Sequence, residues 1–404
     1  MNTFELDRTY VAGTYNRFPI EIVEGKGSVV TDSSGKQYID MGSGIAVTSF
    51  GVADPEWVAA VESQLRRVQH MSNLYYTEPC AKLAEALCRR TGMSKVFFSN
   101  SGAEANECAI KVARKYASDK WAAEQEAAPG SAEGNREVPP YTIVTLKNSF
   151  HGRTLTTLAA TGQDVFHKMF TPLTPGFAYA EANNMEDLKA VADSCRPAAV
   201  MIECIQGEGG VRPLSPDFIR GAWALCQAED VPLIIDEVQT GNGRTGKLYS
   251  YMHFGIRPDI VSTAKGLGGG LPLGACLLGE KVQDVFHPGD HGSTFGGNPV
   301  CCAGALSVLE QLDDAMLESV KEKGAYLREK LSAMGAVQEV RGMGLMLGVG
   351  LKEGYNASAL VGTLLEQGVL CLTAGHNTIR LLPPLVISQA EMDKGLPIMG
   401  QVLA

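Results

Sequence analysis

No uninterrupted apolar run in this sequence approaches the roughly 20 residues that a membrane-spanning helix requires. The opening stretch, MNTFELDRTY, also lacks the apolar core of a signal peptide. A membrane location is therefore not expected, and the reading is cytoplasmic. Basic charge is scarce: 35 Lys and Arg stand against 45 Asp and Glu, for a net charge of −10. That balance argues against a polyanion-binding surface, and so against nucleic acid as a partner, while leaving room for a local basic pocket. The ten cysteines include no Cys-x-x-Cys pair and no Cys/His cluster at zinc spacing. No metal site is indicated, and the thiols, adjacent Cys301-Cys302 among them, are expected to stay reduced and pack. What is present is ordinary for a soluble globular protein: 45% hydrophobic and 20% charged residues. A chain of 404 residues forms two domains more readily than one.

Short β-branched or aromatic runs recur, each followed by a helical pattern: Val96-Phe97-Phe98, Ile143-Val144-Thr145-Leu146, Val200-Met201-Ile202 and Leu233-Ile234-Ile235. This alternation predicts βαβ units and a mainly parallel sheet. After the first run, Asn100-Ser101-Gly102-Ala103 leads into residues 104–116, where Ala105, Ala109, Val112 and Ala113 share one helical face. Residues 119–140, rich in Ala, Glu, Pro and Gly, read as a surface loop. Residues 20–40 read as a meander with turns at Glu24-Gly25 and Ser34-Gly35. Beyond residue 303, helical patterns precede strand-like Leu345 to Val349 and Thr378 to Leu382. The expectation is an α/β chain: residues 1–50 and 303–404 contribute to a small α+β domain, and 51–302 form a large, mainly parallel-sheet domain. No internal repeat is evident.

One motif is a decoy. Gly241 to Lys247, GNGRTGK, has the spacing of a phosphate-cradling GxxxxGK loop, but position 248 is Leu. Without a Ser or Thr there, the loop lacks the hydroxyl that coordinates Mg²⁺. The glycine run after Lys265 fails the dinucleotide spacing as well, because position 271 is Leu where a third Gly or Ala belongs.

Other residues form a coherent set. Lys265 lies in Ser262-Thr263-Ala264-Lys265-Gly266, between an apparent strand and a glycine-rich turn; partial desolvation there would make its amine a nucleophile. Taken alone, a structural surface lysine is the simpler reading. Asp236 follows Pro232-Leu233-Ile234-Ile235, at the carboxyl end of a buried strand, where ligands of open α/β sheets bind. A charge there needs a partner. Ser101-Gly102-Ala103 at a helix start offers N–H groups and a positive dipole end to a phosphate. Phe150 and His151, just past a strand, offer an aromatic face, although a core Phe and a surface His are the default for such a pair. Amine, acid, phosphate cup and flat contact are the four parts that a pyridoxal-5′-phosphate (PLP) enzyme needs.

Five segments in order, SNSGAEANE at 99–107, SFHGRT at 149–154, IIDEVQTGNGRTG at 234–246, STAKG at 262–266 and GSTFGGNP at 292–299, resemble the class III (ω) aminotransferases. The likeness runs from about Tyr15 to the end of the chain. It implies the type I, aspartate-aminotransferase-like PLP fold and a homodimer whose active sites lie at the subunit interface. By resemblance, Lys265 forms the Schiff base and moves the substrate proton, and Asp236 keeps the pyridine nitrogen protonated. Phe150 and Val238 flank the ring, and Gln239 bonds its hydroxyl. Ser101, Gly102 and Ala103 hold the phosphate together with Thr294 contributed from the other subunit.

The family's usual acceptor, 2-oxoglutarate, has two carboxylates and wants two arginines with bidentate geometry; Arg153 and Arg380 match the family's pair. An ω-amino donor carries no carboxylate at its reacting carbon, which leaves one arginine facing a CH₂. Glu208 resembles the glutamate that pairs with that arginine and swings away for the oxo acid. Arg380 is expected to be the switched arginine, with Arg153 holding the distant carboxylate. Ile45 stands where relatives acting on free ornithine carry a tyrosine, which favours an acylated ornithine or γ-aminobutyrate. Tyr15-Asn16-Arg17-Phe18-Pro19 is similar to the acetylornithine branch of the family. Phe50 to Pro55, FGVADP, departs from the GHxHP common in relatives. The resulting expectation is ping-pong amino transfer from N²-acetyl-L-ornithine to 2-oxoglutarate, in arginine biosynthesis. Succinylornithine, succinyldiaminopimelate or γ-aminobutyrate are alternative donors, and a P-loop nucleotide-binding protein is the distant one.

Overall fold

The computed structural model describes residues 1–127 and 138–404. Its centre is a seven-stranded sheet in the order Lys95–Ser99, Gly274–Leu278, Ile260–Thr263, Leu233–Asp236, Ala199–Ile202, Ile143–Leu146, Phe177–Ala180. Gly274–Leu278 alone in this sheet runs against its neighbours; the remaining recorded pairings are parallel. The four apolar runs read from sequence are four of these strands. Leu233–Asp236, Ala199–Ile202 and Ile143–Leu146 are buried at every position. Helices cover both faces of a parallel sheet, so its central strands are apolar on both sides and do not alternate.

Helix Gly102–Ala127 lies against this sheet with Ala105, Cys108, Ala109, Val112 and Ala113 buried, small side chains at helical spacing that let helix and strands approach closely. It is longer than expected: residues 119–127, assigned to a surface loop, continue the helix. Ala, Glu, Lys and Gln are good helix formers, and the loop reading gave their polarity more weight than their propensity. The rest of that expected loop, 128–137, lies outside the described residues.

Both ends of the chain build two smaller four-stranded sheets. Ile22–Lys26, Val29–Asp32 and Gln37–Asp40 form the expected meander. Its second turn is at Ser34-Gly35, but the first is not at Glu24-Gly25. Gly25 sits within a strand against Val30, and the chain reverses at Gly27, where φ is +58°. Val369–Leu370 pairs in parallel with Gln37–Asp40, so residues far apart in the chain share one sheet. The other small sheet runs Val337–Met343, Met346–Leu351, Thr378–Leu381, Leu372–Ala374. The expected boundary at 302/303 falls inside helix Pro299–Gln311, which packs against helices Pro55–Leu65 and Glu78–Thr91.

GNGRTGK is a junction between these layers. Arg244 is fully buried and donates to the carbonyls of Leu345 and Pro383 and to Ser43 Oγ. Burial lowers its pKa to about 9, and Asp40 pulls in the opposite direction. Asn242 donates to Thr263 Oγ1 and the Ala264 carbonyl. The N–H groups of Gly241, Gly243, Arg244 and Gly246 are taken by protein carbonyls as well, so the loop does not present the open backbone donors of a phosphate cradle.

Candidate functional site

A cavity of about 610 Å³ opens at the carboxyl ends of the central strands, where the loops of neighbouring strands diverge and open α/β sheets bind ligands. Its wall collects residues from eight separate stretches of the chain, among them Ser101, Gly102, Ala103, Phe150, His151, Arg153, Asp236, Val238, Gln239 and Lys265, with Tyr15 also in the lining. Each is distant in sequence from most of the others.

Lys265 follows strand Ile260–Thr263 and opens a short 3-10 turn with φ at +48°. A left-handed backbone is costly for a residue with a Cβ and is kept where the surroundings over-determine it. Burial lowers the Lys265 pKa to about 8; Glu208 pulls it up, while Arg380 pushes it further down. An amine so placed has a neutral fraction near physiological pH, as a nucleophile requires.

Asp236 ends its strand almost completely buried. Its Oδ2 accepts from Asn106 Nδ2 at 2.8 Å and meets His151 Nδ1 at 2.8 Å, and its Oδ1 accepts from the Val238 N–H at 3.0 Å. His151 therefore does not offer an aromatic face beside Phe150. It is engaged by Asp236, with its side chain fully inaccessible, because a carboxylate at a strand end draws any donor that can share its burial. The His151 Nε2 atom is buried with no partner among the described residues.

Elsewhere in the wall Ser101 Oγ caps the Glu104 N–H at 3.2 Å, and the Glu104 carboxylate returns to the Asn100 N–H at 2.7 Å. This reciprocal cap fixes the helix start while the N–H groups of its first turn remain without intrahelical acceptors, as at any helix N-terminus. Gly102 is required: a Cβ there would lie 2.6 Å from Val238 Cγ1. Val238 and the helix start thus form one narrow wall.

Behind Gln239, outside the residues that line the cavity, Arg380 is nearly inaccessible and pairs with Glu208 at 2.5 Å. Gln239 joins the pair: its amide donates to Glu208 Oε1 at 3.2 Å, and its oxygen accepts from Arg380 Nη1 at 3.2 Å. Burial raises the Glu208 pKa, but the charge and hydrogen bond of Arg380, together with Lys265, outweigh it and leave a net lowering. Arg153 differs in every respect. It is exposed and sits over the Phe166 ring at 4.3 Å and the Phe150 ring at 5.8 Å.

Four expected residues are not in this wall: Arg380 and Glu208, which meet it through Gln239, and Thr294 and Ile45. Thr294 is exposed outside the cavity. Ile45, 38% exposed, rides a left-handed turn in which Ser43, Gly44, Ile45 and Ala46 all have positive φ. Three residues that the sequence reading passed over are in or against the wall. Asn106 lies within a motif already singled out and holds both Asp236 and the His151 carbonyl. Glu203 accepts from the N–H groups of Phe150 at 2.9 Å and Gly207 at 3.3 Å, with its pKa raised by burial. Only its place three residues before Gln206-Gly207-Glu208 hinted at this. Phe166, in the short helix Asp164–His167, carried no sequence signal.

PLP fits these groups. A partly desolvated amine, a buried carboxylate and an open helix start line one cavity, as its aldehyde, pyridine nitrogen and phosphate require. The family profile described as aminotransferase class-III matches residues 10–403. The acetylornithine aminotransferase of Haemophilus ducreyi is 47% identical over 99% of this chain and 98% of its own length. The protein of the same name from Caldanaerobacter subterraneus is 45% identical over 100% and 99%. Among solved structures, N-acetylornithine aminotransferase from Stenotrophomonas maltophilia superposes with a TM-score of 0.81 at 34% identity, covering 99% of this chain and 98% of that one. Ornithine aminotransferase from Toxoplasma gondii, described with PLP at its active site, gives 0.90 at 32% identity, covering 99% and 93%.

Proposed function

The chain belongs to the class III aminotransferases, PLP enzymes, and from that membership we propose that it moves the δ-amino group of N²-acetyl-L-ornithine to 2-oxoglutarate, a step of arginine biosynthesis. The observation that carries the reading is the Arg380–Glu208–Gln239 cluster beside Lys265, in the site that also presents Arg153. Two cations of unequal character, one neutralised and one without a carboxylate partner among the described residues, suit a pair of substrates that differ by one carboxylate.

Bound here, PLP supplies an aldehyde that takes up an amino group and a ring that accepts the electron pair left when a proton leaves the adjoining carbon. Lys265 would hold it, then act as the base that removes the proton at the substrate carbon and returns it elsewhere. Asp236, fixed by Asn106 and His151, would keep the ring nitrogen protonated. Phe150 and Val238 would confine the ring, Gln239 would meet its hydroxyl, and the first turn at Ser101, Gly102 and Ala103 would take the phosphate. In the donor half-reaction Arg153 binds the α-carboxylate of the acylated ornithine while Glu208 neutralises Arg380. In the acceptor half-reaction Glu208 releases Arg380 to the oxo acid's 1-carboxylate, and Arg153 takes the distal one. Ile45, with no hydroxyl to offer a free α-ammonium, and Tyr15 in the lining suit an acylated donor.

The homodimer belongs to this reading, with Thr294 of each chain completing the phosphate site of the other. So does a cytoplasmic setting, consistent with the ten free cysteines. No helix among the described residues is long and apolar enough to cross a membrane. Residues 1–50 and the chain beyond helix Pro299–Gln311 would form the small domain.

The test is optical. The PLP-loaded protein should lose its yellow absorbance when N²-acetyl-L-ornithine is added without an oxo acid, and regain it with 2-oxoglutarate. A yellow protein left unchanged by this donor rejects the donor assignment. A protein that stays colourless with PLP rejects the cofactor.

A further inference from the structure

Arg153 is held without a counter-charge. Among the described residues no carboxylate pairs with it, and its recorded contacts are the faces of two aromatic rings. The nearer ring, with its centroid 4.3 Å from the guanidinium carbon, is Phe166. Phe166 also meets Phe150 edge to face, with centroids 5.6 Å apart and planes at 74°. One side chain thus touches both the residue proposed to cover the cofactor ring and the residue proposed to bind the distal carboxylate.

The turn that presents Phe166 is anchored. His167 Nε2 lies 2.7 Å from the Thr161 carbonyl and 3.0 Å from the Leu158 carbonyl. Both partners are acceptors, so Nε2 carries the proton and donates to them. The Phe166 N–H closes the turn onto the Gln163 carbonyl at 3.1 Å. An aromatic face attracts a guanidinium through its quadrupole and fixes its plane. It does so without consuming any N–H, so the whole fork remains available for a bidentate carboxylate. A carboxylate neighbour would orient Arg153 too, but it would occupy the same donors.

We propose that Phe166 is a positioning residue for substrate recognition: its ring sets the plane of the Arg153 guanidinium, and thereby the distance from the distal carboxylate to the reacting carbon. The inference rests on the reading of Arg153 given above. It assigns to helix Asp164–His167, which supplies no group to the chemistry, a part in selecting the length of the substrate.

The test compares acceptors with two carboxylates and one. Cation–π contacts are worth about 0.5–2 kcal/mol, so Phe166→Leu should lower kcat/KM for 2-oxoglutarate about two- to thirtyfold, mainly through KM, in single-turnover measurements on the amino-loaded enzyme. Pyruvate has no distal carboxylate, and its second-order constant, measurable even for a poor acceptor, should change less than about twofold on the same scale. Phe166→Tyr should restore the loss. In an Arg153→Ala background, Phe166→Leu should add nothing, because residues acting through one contact are not additive. Equal losses with both acceptors, or losses that add in the double variant, would overturn the proposal. A wild-type enzyme that ignores acetylornithine would instead overturn the donor assignment and leave the acceptor comparison intact.

Discussion

Replacing Glu208 by glutamine separates the two half-reactions. The substitution keeps size and one oxygen acceptor while removing the charge, so Arg380 retains a hydrogen bond but loses its counter-ion. Alanine would be the poorer choice, since stripping a buried cation of its partner costs about 3–5 kcal/mol and confounds activity with stability. The side chain of Arg380 is 4% exposed and that of Glu208 is 27% exposed, so the pair is shielded but not sealed. The difference between a charge-assisted and a neutral hydrogen bond is about 1–2 kcal/mol. At 1.36 kcal/mol per factor of ten, this is about a five- to thirtyfold loss. The loss should fall on the donor half-reaction, in which Arg380 faces an uncharged carbon and needs Glu208. The acceptor half-reaction should hold steady or quicken, because the oxo acid no longer competes with a carboxylate for Arg380. Following the visible absorbance in single turnovers, with donor alone and then with 2-oxoglutarate alone, gives the two rates independently. Equal slowing of both would mean that Glu208 only supports the cavity, and unchanged rates in both would remove it from the mechanism.

Three further outcomes follow from the same geometry. With Lys265 lowered from 10.5 to about 8, the unfolded chain binds more protons than the folded one between those values, so the stability of the cofactor-free protein gains from this group as pH rises through that window. PLP capture by that protein, followed by the growth of yellow colour, should quicken with pH and level off just above 8; a climb continuing toward 10.5 would place the amine in water. Gly207→Ala should impair both half-reactions, because the new Cβ would lie 2.4 Å from Gln239 Oε1 and dislodge the amide that bridges Glu208 and Arg380; unchanged single-turnover rates would show that Gln239 is dispensable. Glu203→Leu should cost about 1–3 kcal/mol in urea unfolding for each N–H it orphans, those of Phe150 and Gly207; a change under about 0.5 kcal/mol would mean that another acceptor replaces it.

Much of the central sheet was legible because its strands are buried on both faces. Val200-Met201-Ile202 and Leu233-Ile234-Ile235, short and mostly β-branched, fit strands of a covered sheet. Lys265 and Asp236 were legible for a related reason: an ionisable group immediately after such a run stands at a strand end, and those ends converge. The failures were local or tertiary. Residues 119–127 were misread because polarity signals exposure, and an exposed helix is as polar as a loop. The meander's first turn was misplaced by two residues because any glycine near a polar residue resembles a turn, and only the pairing of Gly25 with Val30 tells strand from corner. His151 was taken for a ring face because its neighbour is Phe150. Its pairing with Asp236 spans 85 residues, a separation that no local pattern encodes. Phe166 falls under the same limit, since a phenylalanine on a surface turn reads as packing until an arginine is seen above it.

On the proposed reaction, the contrast between the two arginines would let one cavity serve two substrates. A distal carboxylate is present in both acetylornithine and 2-oxoglutarate, so the cation that reads it is needed in every half-reaction and gains nothing from a resident anion. Arg153 is accordingly exposed, where water satisfies its donors between substrates, and aromatic faces orient it at no cost in hydrogen bonds. A carboxylate beside the reacting carbon is present only in the oxo acid. Arg380 is buried, beyond the reach of bulk water, and a buried cation without a partner is costly. It therefore needs an anion of its own for the half-reaction in which the substrate brings none, and that anion must be able to leave. The side chain of Glu208 is the more exposed of the pair, so breaking the bond lets the carboxylate move toward solvent while the guanidinium stays in place. The opposite arrangement, with a fixed carboxylate and a mobile arginine, would carry the binding group away from the substrate it has to hold.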